Sequence, residues 1–225
     1  MLAPNASPRT GGHRAGREVT PAASVCGWAA AGVYLPSYDC AHAGHELTQL
    51  LRRSKSSRER DPELARLVAA TAARDVPGFD PELVVSMPPK PGQEDRFRNI
   101  RRDVARRLGA ADGGPVLSQT RVVADYRWLS ITERRLASRG RFRASQAVRA
   151  RAVLVIDDVV TSGAQAGDAI RALAEAGAAA LGFVAIARAA AGPSGRLTRP
   201  RIAMRRPAER RDPLAPRLSY DQADG

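Results

Sequence analysis

Two acids stand side by side in VLVIDDVVTSGAQ, residues 153–165. Four apolar residues lead into Asp157 and Asp158, two more follow, and then come Thr161, Ser162 and Gly163. Neighbouring carboxylates repel one another and are costly to desolvate, so a pair at the end of a buried strand needs a use. Ligands of open parallel sheets bind at the carboxyl ends of strands. The residues after the pair lead to a helix start, where free N–H groups and the positive end of the helix dipole favour an anion. Gly163 lets backbone approach that anion without a Cβ, and Thr161 and Ser162 add hydroxyl donors. Two acceptors of hydroxyl protons beside a phosphate cradle suit a sugar phosphate with vicinal hydroxyls, such as ribose 5-phosphate. The competing reading is structural: the acids end the strand, and Ser162 with Gln165 forms a capping box.

The elements that must position these residues read as alternating strands and helices. A strand is expected within 27–38 and a helix over 44–55 with Leu47, Leu50 and Leu51 on one face. A second helix is expected over 61–75, with Asp61 as N-cap, Pro62 in the first turn and Leu64, Leu67, Val68 and Thr71 facing inward. The stretch 82–88 reads as a strand closed by Pro88, and 95–109 as a helix with Phe97, Ile100, Val104 and Leu108 inward and its arginines outward. One or two strands are expected within 114–126, and a polar, basic, mobile excursion over 129–145. A helix over 164–176 buries Ala166, Ala169, Ile170, Leu173 and Ala174 and stops at Gly177. With strands at 153 onward and 180–187 it makes a βαβ unit, hence a parallel sheet.

Composition bounds the rest. The chain has 225 residues, 44% of them hydrophobic, and a formal charge of +13. Of its 36 basic residues only Lys55 and Lys90 are lysines, and aromatics are scarce at 4%. That argues against a specific nucleic-acid interface, which would pair basic patches with aromatic platforms. Cys26 and Cys40 form no C-x-x-C pattern, and His13, His42 and His45 suggest solvated loop rather than zinc. Residues 1–25 and 192–225 read as disordered tails around a folded region of 26–191. Neither a secretory signal nor a membrane span is read, so a cytoplasmic protein is expected.

VLVIDDVVTSG resembles the PRPP-binding signature of type I phosphoribosyltransferases. Three further segments, in order, resemble the ComF-like (competence-associated) branch of that family: LTQLLRRSKSS, LVVSMPPKPG and LSITERRLASRGRF. The resemblance spans about 45–187. It implies an open, mainly parallel α/β sheet flanked by helices, with a small hood expected within 27–60. It implies that Asp157 and Asp158 hold the ribose and that Val160, Thr161, Ser162, Gly163 and Gln165 hold the 5′-phosphate. Met87, Pro88, Pro89 and Lys90 would form the pyrophosphate loop. Arg134, Arg135, Arg139 and Arg141 are candidates from a flexible loop closing over the leaving group. Magnesium is the implied cofactor, with Asp158 reaching its shell through water. PRPP is the implied substrate, with an unidentified acceptor, and a homodimer would suit the fold. Departures are the missing four-cysteine finger, the blurred DRFRN element, Gln165 where a hydroxyl residue is usual, and Thr161 where purine-base members often carry Asp. A PRPP- or nucleotide-sensing protein without turnover, and a competence or DNA-handling accessory, are the alternatives.

Overall fold

The computed structural model describes residues 23–37, 39, 41–56, 61–124 and 126–190. The tails expected at 1–25 and 192–225 lie outside these residues except at Ala23–Val25, where a strand has already begun. The elements run β1 (Ser24–Tyr34), α1 (Glu46–Ser56), α2 (Pro62–Asp75), β2 (Leu83–Ser86), α3 (Arg98–Leu108), β3 (Ala111–Asp112) and β4 (Leu117–Gln119). A 3-10 turn (Tyr126–Trp128) and α4 (Ile131–Ser138) follow, then β5 (Phe142–Ala144), β6 (Ala152–Val160), α5 (Ala164–Glu175) and β7 (Ala180–Ala189). Five strands pair in the order β1-β7-β6-β2-β3, all parallel, and β4 pairs antiparallel with β5. This is the open parallel α/β architecture expected. The segment expected to hold a hood supplies β1 and α1. Among the described residues no helix is long and apolar enough to cross a membrane.

The strand period of two divides the core. Leu154 and Ile156 of β6, with Val184 and Ile186 of β7, pack against Leu51 of α1, Leu64 and Val68 of α2 and Ile100 and Val104 of α3. Val153, Val155, Leu181 and Phe183 face the other way, onto Ala169 and Leu173 of α5 and Leu117 and Phe142 of the small β4-β5 pair. Local chemistry explains the helix ends. Asp61 accepts from Leu64 N–H at 3.1 Å as the N-cap of α2, and Gly177 follows α5 with φ 87°.

Three expectations are corrected. β6 does not end before the acids but continues through them to Val160, with Asp157 opposite Ala185 and Val159 opposite Ala187 of β7. The excursion over 129–145 carries regular structure. Ser130 and Glu133 close a capping box that starts α4, and Phe142 is buried under the sheet. α3 begins at Arg98 rather than 95, because the Asp95 side chain takes Phe97 N–H at 3.0 Å and turns the chain first.

Nor do the arginines of α3 all face outward. Arg101 is 3% exposed. It donates to Asp95, Asp112 and, at 2.9 Å, Ser86 Oγ. Burial alone would disfavour its charge, but the two carboxylates outweigh that and raise its pKa. One side chain thus ties the end of β2, the corner before α3 and the end of β3. Removing it takes the guanidinium from Asp95 and leaves Asp112 only the more exposed Arg102, 3.2 Å away. Arg101→Met is expected to cost about 2 kcal/mol, less than a fully buried pair because both carboxylates keep some solvent. Urea unfolding of the variant beside the parent measures this.

Candidate functional site

Asp157 and Asp158 are adjacent on β6 and both border the spaces beyond the strand, but their surroundings differ. Of the two, Asp158 also borders a small gap lined by Leu51, Ile100 and Ile186, on the side of Leu154 and Ile156. Asp158 meets cations there. Lys55 Nζ of α1 lies 3.0 Å from Asp158 Oδ2, and Arg96, in the turn before α3, donates to the same oxygen. Val159 N–H donates to Asp158 Oδ1 at 2.7 Å. Among the described residues no cation pairs directly with Asp157, which feels only the charge of Arg96, and its Oδ1 accepts the Asp158 N–H at 2.8 Å.

The two acids therefore titrate differently. Burial, then the charge of Asp158, pushes the Asp157 carboxyl well above the ordinary 3.8. Burial would raise Asp158 as well, but Lys55 and Arg96 overcome it and hold that carboxyl low. The pair carries one firmly ionised acid and one that resists ionisation, as close carboxylates must.

After Val160 the chain turns through Thr161 and Ser162 to Gly163, which has φ 72° and is the N-cap of α5. A residue with a Cβ would be strained there. No side chain caps the helix; the nearest approach is Ala164 N–H to Ser162 Oγ at 3.4 Å. The capping box considered for Ser162 and Gln165 is not formed, since Gly163 occupies the cap position. Asp157 to Ala166, together with Tyr126, enclose a polar recess of about 140 Å³. It adjoins a cavity of about 640 Å³ that shares Asp157, Asp158, Gln165 and Tyr126. Met87, Pro88, Pro89 and Lys90 line the larger space, as do Arg96, Gln119 and Arg141.

The four arginines of the 129–145 segment separate. Arg141 is 3% exposed and donates to Gln119 Oε1 from Nε (3.3 Å) and Nη2 (3.0 Å). Its Nη1 is buried without a hydrogen-bond partner. Burial lowers its pKa from the ordinary arginine value. Gln119 Nε2 donates onward to the carbonyls of Pro88 and Pro89, at 3.0 and 3.1 Å. Arg134 Nη1 donates to Thr161 Oγ1 at 3.3 Å. Arg135 and Arg139 are exposed and line neither space. Asp168 of α5 holds this segment, accepting Gly140 N–H and Phe142 N–H, each at 2.9 Å. Arg171 keeps the Asp168 carboxyl ionised against its burial.

Lys55, Arg96, Gln119, Tyr126 and Asp168 were not singled out by sequence reasoning as site residues. Lys55 carried one signal, as one of two lysines in a resembling segment. Arg96 stands in the DRFRN element. The other three carry no local signal.

No family model and no curated protein matches the chain. One solved structure, described as that of the allosteric regulatory enzyme of purine biosynthesis, is similar over 56% of this chain, at 18% identity and a TM-score of 0.38. The match covers 25% of that chain. So partial an overlap leaves the functional reading to the side chains themselves.

The uncompensated acid generates a stability prediction. An unfolded Asp157 titrates near 3.8 and the folded one higher, so the folded state binds the extra proton between the two values. Stability then falls as pH rises from about 4 to the folded pKa, and stays lowered above it. Asp157→Asn removes that penalty and is expected to raise the melting temperature at pH 7 by about 3 °C, with the gain vanishing near pH 4. Thermal melts at the two pH values check it.

Proposed function

We propose that the chain binds PRPP with magnesium and displaces pyrophosphate from C1 in favour of an acceptor, as a phosphoribosyltransferase of the type I, ComF-like kind. One observation carries the reading. The paired acids border both the recess at the start of α5 and the adjoining cavity lined by the Met87–Lys90 loop. In this reading Asp157 and Asp158 accept from the ribose hydroxyls. The N–H groups from Val160 to Gly163, with Thr161, Ser162 and Gln165, take the 5′-phosphate at the helix N-terminus. Lys90 and the loop before it face the pyrophosphate, and the unpartnered Nη1 of Arg141 supplies a further donor on that side.

Among the described residues no three metal-binding side chains converge. Magnesium keeps its waters and rests on phosphates with one or two carboxylates. Asp158 would touch its shell through water. When bound, the ion supplies neutralisation of the charge growing on the leaving pyrophosphate. The protein's own contribution is positioning and charge complementarity to an oxocarbenium-like sugar. Lys55 and Arg96 keep Asp158 ionised, ready to accept from a hydroxyl.

Calorimetric titration of magnesium PRPP into the protein and into Asp157→Asn/Asp158→Asn tests this. Binding by the parent, weakened at least about 100-fold in the double variant, is expected from the lost charge-assisted bond at Asp158 and the lost acceptor at Asp157. A folded parent that ignores PRPP overturns the reading. Pyrophosphate release on an acceptor panel then separates a transferase from a sensor that binds without turnover.

A further inference from the structure

Tyr126 borders both the recess around Thr161 and the larger cavity. Two guanidiniums lie over its ring, Arg134 at 5.7 Å and Arg141 at 5.1 Å from the centroid. Each faces a different end of the site. Arg134 hydrogen-bonds Thr161 in the turn before α5. Arg141 reaches, through Gln119, the carbonyls of Pro88 and Pro89. The tyrosine hydroxyl is itself held, 2.9 Å from Ser138 Oγ at the end of α4. Asp168 fixes the backbone on both sides of Arg141. An aromatic ring attracts cations to its faces, and the two arginines share this ring.

We infer that Tyr126 couples the two anion-binding ends of the site, so that occupancy of one tightens the other and the protein selects ligands carrying phosphate at both ends. The inference rests on the PRPP reading and names the residue that would make the site cooperative. Its physical basis is a shared ordering cost. An anion at the start of α5 draws Arg134 and fixes the ring it stacks on. The second anion then meets Arg141 over a ring already in place. The ordering falls on the first ligand and spares the second, which is positive coupling without a new contact. A monophosphate obtains only one half of this, as does free pyrophosphate.

The coupling is measured by titrating magnesium pyrophosphate into the full chain, alone and with saturating ribose 5-phosphate. In the parent, ribose 5-phosphate is expected to tighten pyrophosphate binding on the order of fivefold, and the reverse titration to give the same factor. Tyr126→Leu is expected to bring the factor to about one, whereas Tyr126→Phe, which keeps the ring and loses the hydroxyl, retains it. Direct repulsion between the two anions is common to all three proteins and drops out of the comparison. Should the leucine variant fail to fold, Arg134→Gln removes one stacked cation and carries the same expectation. A parent that binds both ligands with a factor of one, or a folded leucine variant that keeps the parent's factor, overturns the inference and leaves the PRPP site standing. A folded parent that binds neither ligand overturns both.

Discussion

A buried carboxylate has to be compensated or it gives up its charge, and the arrangement around β6 follows from that constraint. Two adjacent acids compete for the same cations. Of this pair only one is matched by close cations. Asp158 is that one, met by Lys55 of α1 and Arg96 before α3. Asp157 is not so matched and holds its proton more tightly. A ligand that brings hydroxyls or cations to the strand end would offset that burial.

The same logic recurs around the site. Arg101 is buried against Asp95 and Asp112 and so fixes the corner from which Arg96 reaches Asp158. Asp168 is buried against Arg171 and two backbone N–H groups and so fixes the backbone on both sides of Arg141, just before β5. In each case an ion pair beside or behind the cavity wall sets the direction of a charged side chain within it. Such pairs add little stability when exposed, but buried ones specify geometry because misplacing either partner is costly. Arg141 is the exception. It is buried with one nitrogen unsatisfied, which the other buried arginine, Arg101, does not show.

Much of this protein was legible from local pattern. The period-two runs of β2, β6 and β7 and the 3.6 period of α2 and α5 report which face each element buries, because that depends only on neighbouring residues. Asp61, Pro62 and Gly177 mark helix ends for the same reason. The acids and the Thr161–Gly163 turn are a contiguous segment, so their juxtaposition at the start of α5 follows from the chain itself.

Other features depended on packing between segments far apart. Nothing near Asp158 says that Lys55 and Arg96 will meet it. In a chain with 36 basic residues, residue type cannot single out two cations. Nor could it separate Arg134 and Arg141, which turn toward the site, from Arg135 and Arg139, which do not. That distinction is made by the capping box at Ser130, the burial of Phe142 and the grip of Asp168. Composition made 129–145 read as a loose excursion because its anchors lie elsewhere, on α5 and β4. By itself the sequence determined the alternating α/β order and the chemistry of one strand end. Tertiary structure alone decided which distant charges complete that chemistry, since charge compensation depends on proximity in space and not on order along the chain.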